Sequence, residues 1–292
     1  MFRGSIVALI TPMDASGEVD WAALDRLLAW HLDQGTHGIV PMGTTGESAT
    51  LDTDEHLKVI QRTISLVAGQ VPVIAGTGSN ATSEAIHQTR EAAAFGADAC
   101  LLVSPYYNRP SQEGLFRHYE AIAEATDVPL FLYNVPARTG RDMEAETVAR
   151  ASELPGVVGI KEACGDAERI AEIRRLVRDD FILLSGEDAQ TMRMLELGAV
   201  GTITVTANVV PKMMSDFCQA WLDGDEAKAR ALDAQLQPLH EVLFAEPSPA
   251  PSKAALELLG LIGPGIRLPL VAATDELRAE LAQRLKTAGV LE

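Results

Sequence analysis

Polar side chains that can do chemistry recur directly after short apolar runs of this sequence. In the segment GVVGIKEACG an apolar run, residues 157–160, ends on Lys161. An apolar interior penalises the charged form of an amine, so its pKa falls from ~10.4 toward neutrality. The neutral amine is a nucleophile that forms a Schiff base with a ketone or an aldehyde. Lys161 is therefore the first candidate for covalent catalysis, and the alternative is a structural ion pair with Glu162 or Asp188.

Schiff-base chemistry also needs a group that moves protons and groups that hold the substrate. Tyr133 ends the preceding apolar run, and its hydroxyl can donate and accept protons in turn. The turn GTTG, residues 43–46, offers backbone amides and the hydroxyls of Thr44 and Thr45 to a carboxylate. Arg138, in the loop VPARTG, can hold a second carboxylate through two parallel hydrogen bonds. The alternatives are a structural tyrosine, an ordinary turn and a solvated arginine.

The apolar runs that carry these groups alternate with amphipathic helical patterns along the whole chain. Each run is short, rich in β-formers and bounded by turn residues, which is typical of a strand. The eight predicted strands are residues 5–10, 37–42, 72–76, 99–104, 129–134, 157–161, 181–186 and 200–205. Strands that are apolar throughout indicate a parallel sheet covered on both faces. A closed (β/α)8 barrel and an open doubly wound sheet are the two architectures that fit.

The end of the chain reads differently, because no strand pattern follows Thr206. We expect an α/β protein: a catalytic (β/α)8 TIM barrel over residues 1–224 and a C-terminal helical extension over residues 225–292. The proline-rich residues 245–253 are expected to form a stiff turn between two helices. Since the active site of such a barrel lies at the carboxyl ends of its strands, the polar segments should meet at one mouth.

Composition excludes several classes of function. The 292 residues carry a formal charge of −17 without a basic cluster, which disfavours nucleic acid and anionic membranes as partners. No apolar stretch approaches the ~20 residues that span a bilayer. The cysteines form no CxxC pair and the six histidines are scattered, so we expect a cytoplasmic enzyme without a metal or another cofactor. The segment GTGSNA matches a dinucleotide-binding fingerprint, which also requires an acidic residue about 20 positions later, at the end of the next strand. Asp98 has this spacing but precedes its strand, so a dinucleotide site is disfavoured. The three cysteines are Cys100, Cys164 and Cys218.

Five segments together carry a family resemblance: GTTGESATL, IAGTGSNAT, SPYYNRPSQEGL, YNVPARTG and GIKEACG. In them the sequence resembles the dihydrodipicolinate synthase family, the 4-hydroxy-tetrahydrodipicolinate synthases, which belong to the pyruvate-dependent class I aldolases and lyases. The resemblance covers essentially the whole chain. It implies a (β/α)8 barrel with a C-terminal helical domain, assembled as a homotetramer that is a dimer of dimers. The implied reaction condenses pyruvate with L-aspartate 4-semialdehyde in the biosynthesis of diaminopimelate and lysine.

The resemblance also implies roles for individual residues. Lys161 matches the lysine that captures pyruvate as a Schiff base, and Tyr133 matches the proton shuttle. Thr44 and Tyr107 match the other hydroxyls of the relay. In the family the tyrosine that matches Tyr107 reaches in from the neighbouring subunit, which makes the dimer the catalytic unit. The implied substrate contacts are Thr45 for the pyruvate carboxylate, Arg138 for the semialdehyde carboxylate and Ile203 in the pocket wall.

The alternatives to this function are another pyruvate lyase and a barrel that only binds its ligand. N-acetylneuraminate lyase and the 2-keto-3-deoxy-sugar acid aldolases share the lysine and the tyrosine, but Arg138 and Tyr107 favour the synthase. A catalytically silent barrel that binds a keto acid is disfavoured, because a binding protein has no use for a proton relay. Many bacterial members are also inhibited by L-lysine at the dimer interface, and position 53 here is threonine where lysine-sensitive members carry histidine. The residues at the positions of that lysine site are Ser48, Ala49, His56, Asn80, Glu84 and Tyr106.

Overall fold

Eight parallel strands form a closed barrel in the computed structural model, which describes residues 2–291. Hydrogen bonding joins the strands in the order β2-β1-β8-β7-β6-β5-β4-β3, and a parallel bridge from Ile39 to Val73 joins the two remaining edges. The predicted TIM barrel is confirmed, and the open doubly wound sheet is wrong. The strands β1 to β8 are Gly4–Ala8, Gly38–Val40, Ile74–Gly76, Ala99–Val103, Leu130–Asn134, Val157–Glu162, Ile182–Ser185 and Gly201–Thr204.

Helices alternate with the strands and then continue alone to the end of the described chain. Asp20 caps the first helix by accepting from the amide of Ala23, and Ser111 caps the fourth by accepting from the amide of Gly114, as their sequence positions predict. Within residues 2–291 the helices α1 to α12 are Trp21–Asp33, Thr53–Val67, Thr82–Phe95, Gln112–Ala123, Pro136–Thr139, Ala145–Ser152, Glu168–Arg174, Thr191–Glu196, Pro211–Leu222, Glu226–Leu243, Ala250–Leu258 and Asp275–Thr287. None of them is long and apolar enough to cross a membrane.

A turn separates α9 from α10 at residues 224 and 225, where the helical extension is predicted to begin. Gly224, with a φ of 80°, and Asp225, whose side chain caps α10, form the turn that separates α9 from α10. The proline-rich segment was only partly predicted, because α11 already begins at Ala250. Proline is compatible with the first turn of a helix, where its missing amide hydrogen has no intrahelical acceptor to lose, and Pro251 lies there.

Strand register decides which side chains enter the barrel. Tyr133 on β5 is in register with Lys161 on β6, and Lys161 is in register with Leu184 on β7. Residues in register project from the same face of a sheet. Tyr133, Leu184 and Ile203 belong to the apolar cluster inside the barrel, which is distinct from the larger cluster that packs the helices. Lys161 therefore projects into the barrel interior.

Candidate active site

Lys161 lies near the end of β6 with only 5% of its surface exposed. Its Nζ is 4.4 Å from the centre of the Tyr133 ring. Neither of the carboxylates considered as ion-pair partners faces it. Glu162 accepts a hydrogen bond from Nδ2 of Asn134, and Asp188 accepts two from backbone amides of the loop after β8. The amine is thus buried beside the predicted proton shuttle, while the two carboxylates are bound elsewhere.

Glu162 lies on the outer face of β6 and is fully buried. Nδ2 of Asn134 donates to Oε1 of Glu162 at 3.0 Å and to Oδ1 of Asp142 at 2.8 Å, and Arg169 binds the other oxygen of Asp142 at 3.0 Å. Burial raises the pKa of Glu162 to about 7, although Asn134 and Arg169 act in the opposite direction. This network connects β5 and β6 to the loop between α5 and α6. It therefore stabilises the backbone of β6 on the face opposite to Lys161.

Gly186 follows β7 and lies against the Lys161 side chain. A Cβ at Gly186 would lie 2.9 Å from Cε of Lys161 and 2.8 Å from Cβ of Ala163, closer than side chains pack. The amide of Gly186 donates to the carbonyl of Glu162 at 2.7 Å, which holds the backbone at this short separation. Only glycine allows the loop to pass so near the Lys161 side chain.

Glu187 places a further carboxylate at this mouth. It is half-buried, and burial raises its pKa, with the nearby Asp188 charge adding to the effect. The positive charges of Lys161 and Arg138 oppose this shift, so the carboxylate lies within electrostatic range of both. The sequence placed the segment GED at a strand end without assigning it a role. Neither Gly186 nor Glu187 was identified as a site residue, and the signal was their position directly after a barrel strand.

The turn predicted to bind a carboxylate follows β2 as a 3₁₀ turn over Thr44–Gly46. The amide of Gly46 donates to the carbonyl of Gly43 at 3.0 Å, and the hydroxyl of Thr11 donates to the carbonyl of Gly46 at 2.7 Å. Thr45 is buried and Thr44 is half-buried. The turn is held from both sides, as binding a carboxylate by backbone amides and hydroxyls requires.

A cavity of about 450 Å³ is lined by residues from both predicted ligand sites. Its barrel side is lined by Thr44, Val135 and Arg138, and its other side by five of the six residues predicted to contact L-lysine. These five are Ser48, Ala49, His56, Glu84 and Tyr106. Lys161, Tyr133, Thr45 and Ile203 are buried residues of the barrel and its rim rather than part of this wall.

The sixth residue, Asn80, is held outside the cavity wall by backbone contacts. Its Nδ2 donates to the carbonyl of Tyr106 at 3.2 Å. Nε2 of His56 lies 2.7 Å from the carbonyl oxygen of Gly76, and burial lowers the pKa of His56. Because a carbonyl oxygen can only accept, Nε2 of His56 donates its N–H to it. The hydroxyl of Ser79 donates to Glu84 at 2.5 Å, which orients the carboxylate beside the cavity.

Tyr107 does not join the other relay residues within one chain. Its backbone is in the left-handed region, with a φ of 70°, and 91% of its surface is exposed. A side chain so exposed cannot share the buried surroundings of Lys161 in the same subunit.

The model of the Dihydrodipicolinate synthetase family matches residues 1–288. The chain belongs to this family. The family resemblance read from the motifs is therefore confirmed.

Named members of the dihydrodipicolinate synthetase family match over nearly their whole length. The 4-hydroxy-tetrahydrodipicolinate synthase of Alcanivorax borkumensis is 55% identical over 292 residues, covering 100% of this chain and 99% of the relative. The chloride-inhibited dihydrodipicolinate synthase from Acinetobacter baumannii, solved with pyruvate, superposes with a TM-score of 0.98 at 47% identity and covers 100% of both chains. The dihydrodipicolinate synthase from Cyanidioschyzon merolae, solved with lysine bound, superposes with a TM-score of 0.95 at 42% identity, and 99% of each chain is covered.

Proposed function

We propose that this chain is a Schiff-base lyase that condenses pyruvate with L-aspartate 4-semialdehyde to 4-hydroxy-tetrahydrodipicolinate and water. The observation that carries the proposal is Lys161, a buried amine 4.4 Å from the Tyr133 ring whose two candidate ion-pair partners, Glu162 and Asp188, are engaged elsewhere. The shared name of the relatives and the pyruvate complex of the Acinetobacter baumannii enzyme support the same reaction.

The chemistry follows from the groups at the barrel mouth. The amine of Lys161 adds to the ketone carbon of pyruvate, and loss of water from the carbinolamine gives an iminium. The iminium withdraws electrons from the adjacent methyl carbon, which loses a proton to form an enamine that attacks the aldehyde, and the aldehyde oxygen takes up a proton. The amino group of the semialdehyde part then adds to the re-formed iminium carbon and displaces the amine of Lys161, which closes the ring and frees the lysine. Tyr133 carries protons in these steps because its hydroxyl donates and accepts. The turn residues Thr44 and Thr45 bind the pyruvate carboxylate.

Arg138 binds the carboxylate of the semialdehyde. It lines the cavity with an exposed guanidinium, and Ser248 lines the same cavity with a buried hydroxyl that has no hydrogen-bond partner within residues 2–291. A planar guanidinium recognises a carboxylate through two parallel hydrogen bonds. This acidic, amino-acid-derived aldehyde is therefore preferred over longer polyol substrates.

Borohydride reduction in the presence of pyruvate tests the covalent step. We expect a stable pyruvate adduct on the peptide that contains Lys161, detected by mass spectrometry. Lys161→Met should lose the adduct, whereas Lys212→Met, at an exposed position on α9, should keep it. An unmodified Lys161 in the reduced wild-type protein would contradict the mechanism.

Substrate choice is tested by comparing L-aspartate 4-semialdehyde with N-acetylneuraminate and 2-keto-3-deoxy-sugar acids at equal enzyme. We expect turnover with the semialdehyde and a large loss of it in Arg138→Ala. Faster reaction with a sialic acid or sugar acid would assign the chain to the other pyruvate lyases, and an unchanged Arg138→Ala rate would contradict the role of Arg138.

Assembly as a homotetramer, a dimer of dimers, is proposed with Tyr107 supplied to the neighbouring active site. The support is the exposure of Tyr107 at 91%, together with the exposed apolar side chains Leu268 at 78% and Val271 at 64%. Sedimentation should give a tetramer. Mixing Tyr107→Phe with an inactive Lys161→Met protein should give hybrid dimers that regain activity if the tyrosine acts across the interface.

Inhibition by L-lysine is proposed at the outer part of the cavity. Glu84 offers a carboxylate to an ammonium group, and the Cyanidioschyzon merolae relative is solved with lysine bound. We expect L-lysine to lower the rate of the wild-type enzyme and to lose this effect in Glu84→Gln. Equal inhibition of both proteins would place the lysine site elsewhere.

A further inference from the structure

Glu47 ends the carboxylate-binding turn in a conformation that its own residue type disfavours. Its φ is 60°, in the left-handed region, where a side chain with a Cβ is strained. Its amide donates to the carbonyl of Thr44 at 3.1 Å, so this conformation closes the turn Thr44–Gly46. The Glu47 side chain is 0% exposed, although carboxylates are rarely buried. Something must hold it there.

The partner of Glu47 comes from the C-terminal helices. Lys253, on α11, forms an ion pair with Glu47, and its side chain is only 5% exposed. Nζ of Lys253 also donates to the carbonyl of Gly265 at 2.8 Å, and the amide of Arg267 donates to Oε2 of Glu47 at 3.1 Å. Burial lowers the pKa of Lys253, and the charge of Glu47 opposes that shift. The pair is therefore a buried charge pair with additional hydrogen bonds on both partners.

Arg267 extends this attachment to the surroundings of the turn. Its guanidinium binds both oxygens of Glu55 on α2, each at 2.7 Å. It also donates to the carbonyl of Thr50 at 3.0 Å and to that of Gly17 at 2.6 Å. Through these hydrogen bonds the C-terminal region binds segments that precede and follow Glu47 in the chain.

A buried ion pair is a costly way to gain stability, because desolvation of both charges offsets much of their attraction. Apolar side chains of similar volume would pack as stably, but they would not direct the Glu47 backbone into its left-handed conformation. We therefore infer that the ion pair fixes the backbone conformation of the turn that contains Thr44 and Thr45, rather than adding to the stability of the fold.

We propose that Lys253 is a positioning residue for pyruvate binding: through Glu47 it holds the turn Thr44–Gly46 in the shape that receives the pyruvate carboxylate. This inference rests on the proposed function, since it assumes that the turn binds pyruvate. Neither Lys253 nor Glu47 touches the reacting atoms. Their loss shifts the turn and weakens pyruvate binding while the Schiff-base lysine stays in place on β6.

The test is Lys253→Met with Arg278→Met as the matched control. Arg278, on α12, pairs with Glu257 of α11 at 2.6 Å within the same C-terminal region, without reaching the turn. We expect Lys253→Met to raise the KM for pyruvate about tenfold and to leave the KM for the semialdehyde unchanged, since a small displacement of a binding group reduces its effect steeply. Arg278→Met should leave both KM values at the wild-type level.

Folding and positioning are separated by the double variant Glu47→Gln with Lys253→Met, which leaves no unpaired buried charge. It should fold like the wild type and still show the raised KM for pyruvate. An unchanged KM for pyruvate in either folded variant, or an equal increase in Arg278→Met, would overturn the proposal. Borohydride trapping at saturating pyruvate should label Lys161 in all of these proteins. Absence of labelling in the wild type would refute the Schiff-base function instead.

Discussion

The buried carboxyl group of Glu162 makes stability fall as pH rises. Its pKa is 4.5 as a free group and about 7 in the folded protein, where burial disfavours the charge. Below about pH 4.5 both states hold the proton and the group has no effect on stability. Between about pH 4.5 and 7 the unfolded chain releases the proton while the folded chain keeps it, so the folded state loses stability. Above this range the loss is complete, at about 3 kcal/mol for a shift of this size.

Substitution of Glu162 by glutamine isolates this contribution. The amide keeps the size of the side chain and an oxygen that can accept from Asn134, but it carries no titrating proton. We expect the free energy of unfolding of Glu162→Gln, relative to the wild type, to be about 3 kcal/mol higher at about pH 8 than at about pH 4.5. Most of that change should occur between the two pKa values.

Denaturant unfolding of both proteins at equal concentration over this pH range measures the difference. Glu146→Gln provides the control, because Glu146 is an exposed glutamate of α6 and its replacement should leave the pH dependence unchanged. Parallel pH dependences for Glu162→Gln and the wild type would refute the reasoning and show that Glu162 is ionised when buried. An infrared carboxyl band present in the wild type at pH 6 and absent from Glu162→Gln would identify the proton directly.

Three further changes probe the site. Gly186→Ala should lower kcat about a hundredfold and should also lower Tm, because the new methyl group meets both Cε of Lys161 and Cβ of Ala163; steady-state rates at the wild-type level would contradict the close approach. Tyr133→Phe should lower kcat by about a hundredfold or more, because proton transfer loses its carrier, while borohydride still traps pyruvate on Lys161 given enough time. Thr53→His should increase the affinity for L-lysine about tenfold by adding a hydrogen bond to the lysine carboxylate. Inhibition by L-lysine at fixed substrate concentrations measures this affinity. Weaker inhibition of the variant than of the wild type would disprove that contact.

The barrel and the buried position of Lys161 inside it could be predicted because they depend on local pattern. The eight apolar runs coincide with the eight strands, and a strand that ends inside a parallel barrel carries its last side chains to the mouth. The alternative ion pair of Lys161 with Glu162 could have been discarded from the sequence as well. Successive residues of a strand point to opposite faces, so neighbours in β6 cannot both enter the barrel.

The remaining features depend on contacts between distant parts of the chain. Lys253 was assigned to a proline-rich turn, and nothing local indicates that it meets Glu47. The need for glycine at position 186 arises from the Lys161 side chain on the neighbouring strand, and strand pairing has no short-range signature. The role proposed for Tyr107 would require a second copy of the chain, since its own subunit leaves this side chain exposed.

The Glu47–Lys253 pair also has a consequence for the synthesis of the protein. Strand β1 pairs with β8, so the sheet closes only after residue 204 has been made, and the turn acquires its ionic partner still later. Domains fold as their residues emerge from the ribosome, with the N-terminal part first. A nascent chain that has formed the first strands therefore lacks a finished pyruvate site until Arg267 has emerged. We therefore expect the growing polypeptide to bind its keto-acid substrate only weakly until nearly all of it has been translated.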